Sequence, residues 1–438
     1  MPGCASGAPR NRRRWGCSRM AIDPITAEAP TQTWLVRARE AHRADLERDG
    51  MPLQRHERWR TMPLRDVARA PMAAATTAPA EPAFALPDAG LRVDFGTTWH
   101  AFGSVGTVAP GLVVEPLAQA LMRGDAALRV RYERRYDGAQ HGYTRLNSLH
   151  AQHGAFVHVA AGVRIAEPVS LVMPAALAPA TRFLRHVVVL EAGAQATLVL
   201  HHPGGSAAAS LDNFVVQAVL GEGAALTIVR LQEAGAGAVL LERCEADVGK
   251  DATLRTWDLE LGGAIVRREL DVALAGDRAT FNARGVFALR GRQHGETHLD
   301  IAHAARDTTS TTLWRGIADA RARGVFTGGI VVAPGADGAD AKLSTRNLLL
   351  SPHAEIDAKP ALEIHADEVK AAHGATVGQL DEHALFYLRS RGLPLETARS
   401  LLTFAFCREV LDGIDAPLAA VLAERLALHL PGREGDKP

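Results

Sequence analysis

Four octapeptides decide the fold: GAQATLVL (193–200), GAALTIVR (223–230), GKDATLRT (249–256) and GDRATFNA (276–283). Each opens on Gly, carries Thr four residues later and follows it with an apolar residue; the glycines stand 30, 26 and 27 residues apart. Gly permits a tight corner, and a Thr-plus-apolar start leads into an alternating, half-buried strand. A corner that restarts at a near-constant interval, with almost no helical periodicity between, indicates a solenoid that adds one coil per repeat. A β-sandwich also uses short strands, but nothing in it requires the same corner to return. The expected fold is therefore mainly β: a right-handed parallel β-helix over residues 151–378, with helical amino- and carboxy-terminal regions. Residues 155 to 378 leave room for roughly eight coils.

Working outward, the two ends of such a rod matter most, because a terminal coil exposes an unpaired strand edge that has to be capped or matched. Residues 20–150 are expected to cap one end. They include an amphipathic helix from Thr31 to Asp49, with Trp34, Leu35, Ala38, Ala41 and Leu46 on one side, and a polar loop from Met51 to Leu64 pinned by Trp59. An Ala/Pro-rich linker spans 71–90, and short strands mix with a helical patch (Pro116–Arg123) over 91–150. At the other end, near His353 and His373, only a helical region (379–431) is available as cover, so a strand-edge partner is expected there. In the stretch KAAHGATVGQLDEHALFYLRSRG (370–392), Val369 and Val377 are expected to bracket a turn carrying His373 and Gly374. Asp381 then caps a helix that Gly392 and Pro394 stop. Further helices start at Pro394 and Pro417, and 432–438 is read as a disordered tail.

Composition narrows the function. With 438 residues and 47% hydrophobic content the chain can bury a large core, and 49 basic residues balance 49 acidic ones. That balance argues against an electrostatically driven nucleic-acid or membrane binder. The longest apolar runs fall far short of a membrane span. Residues 1–19 hold five Arg and no acid and are read as an over-extended start before Met20. The four cysteines, Cys4, Cys17, Cys244 and Cys407, include no CxxC pair. Neither a zinc ribbon nor a self-sufficient cluster-binding quartet is written here, and scattered thiols fit a reducing, cytoplasmic setting. Cys407, between Phe404, Phe406 and their neighbours, reads as a buried inert thiol.

One polar constellation stands out: QHGETHLDIAHAARDTTS (293–310), where period two places His294, Glu296, His298 and Asp300 on one strand face. Two of these histidines and one acid make a conceivable metal site; a solvated polar face, with Thr308 to Thr312 as a polar stack, is the expectation. Glycan processing on a β-helix needs paired acids about 5–9.5 Å apart and usually aromatic platforms. At 5% aromatic content this chain argues against it. No GxxxxGK[ST] occurs, so no ATP site of its own is expected.

HGATVG (373–378) followed by FYLRSRGL (386–393) resembles the carboxy-terminal signature of the SufB/SufD family of iron–sulfur cluster assembly proteins, in its SufD branch. PLQRHERW (52–59) with Pro63-Leu64 resembles that branch's amino-terminal signature. Leu146-Asn147 and GAFVHVAAGVRIAEPVSLV (154–172) are similar to its entry into the central domain. The resemblance implies a non-catalytic scaffold subunit that joins SufB through its β-helix and binds the ATPase SufC through carboxy-terminal helices. It implies that His373 faces a SufB cysteine where a transient iron–sulfur cluster forms, with His365 and Glu368 as possible helpers. Many relatives carry Cys two residues before this His; here Ala371 stands there, so a thiolate from this subunit is absent. Phe386, Tyr387, Leu388, Arg391, Gly392, Leu401 and Phe404 are the implied SufC-docking residues. Reduced flavin at the level of the complex is a further implication. A SufB-like or homodimeric scaffold is the alternative, and a β-helix polysaccharide-processing enzyme a more remote one. SufB relatives carry Glu-His-Glu-Ala where this chain has Ala372-His373-Gly374-Ala375, which favours the SufD branch.

Overall fold

Strands alternate between two sheets along most of the chain, as the repeated corners require. In a computed structural model, residues 33–70, 91–95, 99–102, 109–206 and 208–430 are described. The expected start (1–19), the Ala/Pro linker (71–90) and the tail (432–438) fall outside them. One sheet has ten strands and the other nine, and each coil contributes one strand to each. From Ala155–Val159 to Lys370–Gly378 this makes a parallel β-solenoid of about eight turns, as expected.

The coil follows from period-two alternation. In Ser210–Leu220, residues Phe214, Val216, Ala218 and Leu220 face inward and join one continuous core. Parallel register stacks like on like: Leu190, Leu220, Val248, Leu274, His303 and Val332 lie at one level of successive coils. His303 is the polar member of that aliphatic column. Its ring nitrogens bond the Thr308 and Ser310 hydroxyls at 2.8 and 2.9 Å, and burial pushes its pKa down to about 4.

Successive strands of one sheet begin at Gln195, Ala225, Thr253, Thr280, Thr309, Asp340 and Lys370, so a coil takes 27 to 31 residues. The corner itself differs from the expected one at two of four repeats. Left-handed backbone falls at Gly193 and Gly223, but then at Asp251 and Arg278 rather than Gly249 and Gly276. Gly249 lies two residues earlier, where a Cβ would come within 2.6 Å of the Leu220 carbonyl. It is required by close coil-on-coil approach, not by turn geometry.

Part of the interior is ionic. Inside the second to fifth coils Arg230 lies between Glu242 and Glu260, His202 bonds Glu242 at 2.8 Å, and Arg268 bonds Asp258 at 3.0 Å. Burial drives the Glu260 pKa up to about 7; the Arg230 charge pulls against it and Glu242 adds to it.

The amino-terminal end is closed as expected. Leu112–Pro116 pairs antiparallel with Ala155–Val159, and Trp99–Phe102 pairs antiparallel with Leu91–Phe95, which itself extends the ten-stranded sheet. The amino-terminal helix runs from Thr33 to Asp49 and buries His42 and Asp45 beside Leu35 and Ala38. Beyond the expected helical patch, two further helices, Ala126–Glu133 and Gly142–His150, precede the solenoid. Asn147 is fully buried on the second of them and donates to the Leu184 and Asn213 carbonyls, 2.9 Å each.

The carboxy-terminal helices do not cover the far end. Leu395–Arg408 and Ala416–His429 turn back along the rod and seal Val229, Leu231, Trp257, Leu259 and Val286 on the outer face of one sheet. That outer face is a contiguous apolar surface, and burial of apolar area holds the helices on the flank. Cys407 is buried there and burial raises its thiol pKa, as expected of an inert thiol.

Candidate functional site

The far end of the rod is an open coil of two strands, Glu355–Ile364 and Lys370–Gly378. Among the described residues each has a neighbour on one side only. The expected turn at His373-Gly374 is absent: Lys370–Gly378 runs straight, in register with Asp340–Leu348, because the preceding coil templates it.

Register fixes what His373 presents. Ala371, His373 and Ala375 lie beside Ala341, Leu343 and Thr345, which face the interior and are 1%, 3% and 0% exposed. His373 thus occupies an inward-facing position and is exposed because no further coil covers it. The backbone alternates too. The Lys370 N–H donates to the Ala339 carbonyl at 2.8 Å, and the Thr376 carbonyl accepts from the Asn347 side chain at 3.0 Å, so even-numbered residues bond inward to the rod. In a parallel ladder the alternate residues then point their N–H and C=O the other way. Ala371, His373, Ala375 and Val377 therefore offer unpaired backbone groups to the open edge.

The companion edge is different. Glu355 and His365 donate to Ala322 and Val332, so the even-numbered residues face outward in Glu355–Ile364. Pro360 is among them and removes one outward donor without touching the ladder behind it. The uninterrupted edge is Lys370–Gly378.

His365 and Glu368 sit in the corner before that strand, both exposed, with the His365 Nε2 2.7 Å from Glu363. Lys370 to His373 alone spans about 10 Å of strand, so the corner residues and His373 are not brought together. Among the described residues no three His, Cys, Asp or Glu side chains converge on a metal position. Sequence reasoning missed the distinction between the two edges; the signal was Pro360 inside an otherwise regular strand.

The other histidine cluster is neither solvated nor arranged for a metal. Glu296 is bonded by His294 at 2.9 Å, His298 at 3.1 Å and Arg267 at 2.6 Å. Residues 57–61 lie across it: the Trp59 ring stacks 4.1 Å from the Arg267 guanidinium, Thr61 donates to Glu296 at 2.6 Å, and Arg58 pairs with Asp300 at 2.5 Å. Burial alone would raise Glu296, yet the two histidines and Arg267 hold it well below the carboxylate range. The same burial, with Arg267, lowers His298. It is a latch for the amino-terminal segment. Thr308, Ser310 and Thr312 are likewise buried rather than solvated.

The implied docking residues lie on the two helices that follow the terminal strand, Glu382–Ser390 and Leu395–Arg408, and on the turn between them. Helix Glu382–Ser390 is capped by Asp381, which accepts from the His383 N–H at 2.9 Å, and ends before Gly392 at φ +92°. No residue of this helix is buried, and Phe386 and Tyr387 are 74% and 57% exposed. Arg391 lies over the Tyr387 ring at 5.2 Å, Leu401 is exposed and Leu388 half-buried. Phe404 packs half-buried against the flank.

These features define a class: two-sheet parallel β-solenoids closed at one end by antiparallel strands and, among the described residues, unpaired at the other, with exposed aromatic residues on the helix that follows the terminal strand. Residues 174–406 match the SUF system FeS cluster assembly SufBD core domain, and the chain belongs to that family. It is 27% identical to the iron–sulfur cluster assembly protein SufD of Escherichia coli over 90% of this chain and 92% of that protein. A SufBD family protein of Synechocystis is 32% identical over 64% of this chain, and the match spans 63% of that relative's length. SufD of Bacillus subtilis is 28% identical, over 66% of this chain and 69% of that protein. Among the described residues no helix is long and apolar enough to cross a membrane.

Proposed function

We propose that this chain is the SufD-type, non-catalytic subunit of a cytoplasmic SufB–SufC–SufD scaffold, on which an iron–sulfur cluster is built as cargo. The observation that carries this reading is the open coil: an unblocked strand edge with one imidazole at the mouth of the rod. Another β-helix, that of SufB, continues the sheet from Lys370–Gly378 and places its thiolates over His373. A single imidazole cannot hold a cluster, and with Ala371 in place of a thiol this subunit supplies one nitrogen ligand or proton carrier. His365 and Glu368 are auxiliary iron acceptors one corner away. Phe386 and Tyr387, framed by Leu388, Arg391, Gly392 and Leu401 and backed by Phe404, seat the ATPase SufC, which supplies all ATP hydrolysis. Reduced flavin acts at the level of the assembled complex.

Co-expression with SufB and SufC tests the reading. His373→Ala should leave the complex intact and abolish the cluster's visible absorption and bound iron. Phe386→Ser with Tyr387→Ser should release SufC and retain SufB. Normal cluster content in the His373 variant defeats the proposed role. The same edge is self-complementary in principle, so the chain expressed alone is the control: a stable dimer favours the homodimeric alternative.

A further inference from the structure

Near the closed end of the rod, strand Ala180–Leu190 turns Leu184 and Val188 into the core and Arg185 outward, against helix Gly142–His150. Arg185, Val215, Arg243 and Glu269 form one in-register column on that outer face. Two coils on, Arg243 has its carboxylates, donating to Glu245 at 2.6 Å and to Glu269 at 2.7 Å. Arg185 has none. It is fully buried, and its partners are neutral: Nε donates to Asn147 Oδ1 at 3.0 Å, Nη2 donates to Ser148 Oγ at 2.8 Å, and the Tyr132 ring lies 4.5 Å from the guanidinium.

A second guanidinium stands on the other side of the same tyrosine. Arg39, half-buried on helix Thr33–Asp49, bonds the Ala151 carbonyl at 3.4 Å. Burial lowers its pKa and Arg185 adds to that; only Tyr132 acts the other way, so no carboxylate offsets the charge. The acids of this layer are engaged elsewhere, Asp45 by Arg48 and Arg135 and Asp49 by Arg48 and Arg145. Three buried donors around Tyr132 have no hydrogen-bond partner among the described residues: Arg39 Nε, Arg185 Nη1 and the Tyr132 hydroxyl, which burial keeps neutral. Hydration would satisfy such donors but leave the charge, and a buried charge without a counter-charge costs far more than a lost hydrogen bond.

We propose that one monovalent anion of halide size binds between Arg39, Arg185 and the Tyr132 hydroxyl and pins the amino-terminal helix to the first coils. The guanidinium groups hold it by charge-assisted hydrogen bonds. Leu128, Tyr132 and Arg185 have no exposed surface, so the position suits a monatomic ion and not a polyatomic one. Half-buried Arg39 gives it a way in from solvent. The site belongs to the closed end, and the proposal is independent of what the open coil pairs with.

Melting of the full chain in sodium chloride and in sodium gluconate at equal ionic strength tests it, because matched ionic strength cancels general screening. An ion that binds only the folded chain stabilises it by mass action, so the melting temperature should be higher in chloride, with a saturable dependence on its concentration, and bromide should act alike. Arg39→Met should weaken the apparent chloride affinity roughly tenfold or more. Arg37→Met, which removes an exposed Arg of the same helix, should leave it unchanged. Chloride NMR line broadening by the folded wild-type chain, reversed by bromide, is the direct readout and needs no variant to fold. Absence of that broadening overturns the proposal, as do equal melting temperatures in chloride and gluconate or a wild-type chloride response in Arg39→Met.

Discussion

Proline at position 375 separates the two faces of the terminal strand. Ala375 directs its N–H to the open edge, whereas the N–H of Thr376 is directed to Asp340–Leu349 behind it. Ala375→Pro deletes one outward donor and leaves the internal ladder whole, as Pro360 does in the companion strand. Thr376→Pro deletes an internal ladder bond and leaves its acceptor unpaired, which should cost the chain itself about 1–3 kcal/mol. The open edge offers the N–H and C=O of Ala371, His373, Ala375 and Val377, each bond contributing about 0.5–1.5 kcal/mol net. Loss of one bond, together with the bulk of the ring at the junction, should weaken edge pairing by roughly 1–3 kcal/mol, or about 5- to 150-fold. The assay is a titration of each variant with SufB, alongside urea melts of the chain alone. Wild-type affinity for Ala375→Pro would refute pairing through this edge. A collapse in stability for Ala375→Pro but not Thr376→Pro would refute the assignment of backbone direction.

Two interior groups give opposite pH signatures. His303 is held at about 4, below its unfolded value, so the unfolded chain takes up the proton first and stability falls as pH drops from 7 to 5. The loss from this imidazole is roughly 2 kcal/mol. His303→Leu, which matches its column neighbours Leu274 and Val332, should flatten that slope in urea melts; an unchanged slope contradicts the assignment. Glu260 behaves in the reverse sense: raised to about 7, its contribution is greatest below its unfolded value and is lost as pH rises through neutrality. Glu260→Gln should therefore stabilise the protein by up to about 3 kcal/mol at pH 8 and by almost nothing at pH 4. A gain that is equal at both pH values, or absent at both, would show that Glu260 does not titrate as a buried acid.

The solenoid was legible from the chain alone because a coil is a local object. Corner, alternation and coil length recur within about 30 residues, and every repeat votes for the same answer. His373 was legible as the exposed imidazole of the far end for the same reason. Burial between distant segments was not legible. His294, Glu296 and His298 read as a solvated face because nothing in 293–310 announces that Trp59 and Thr61 lie across them, more than 230 residues away. The carboxy-terminal helices showed an apolar stripe, but which surface receives it depends on the outward residues of five separate coils, Val199 to Ile317. Backbone direction at the open edge is likewise a property of register: a strand's sequence sets which side chains face in, and only its neighbour sets which amides are left for a partner. Sequence thus determined the repeating unit, whose interactions are short-range. Tertiary structure decided which edge stays open and which polar clusters are sealed, because those outcomes rest on contacts between segments that the chain separates.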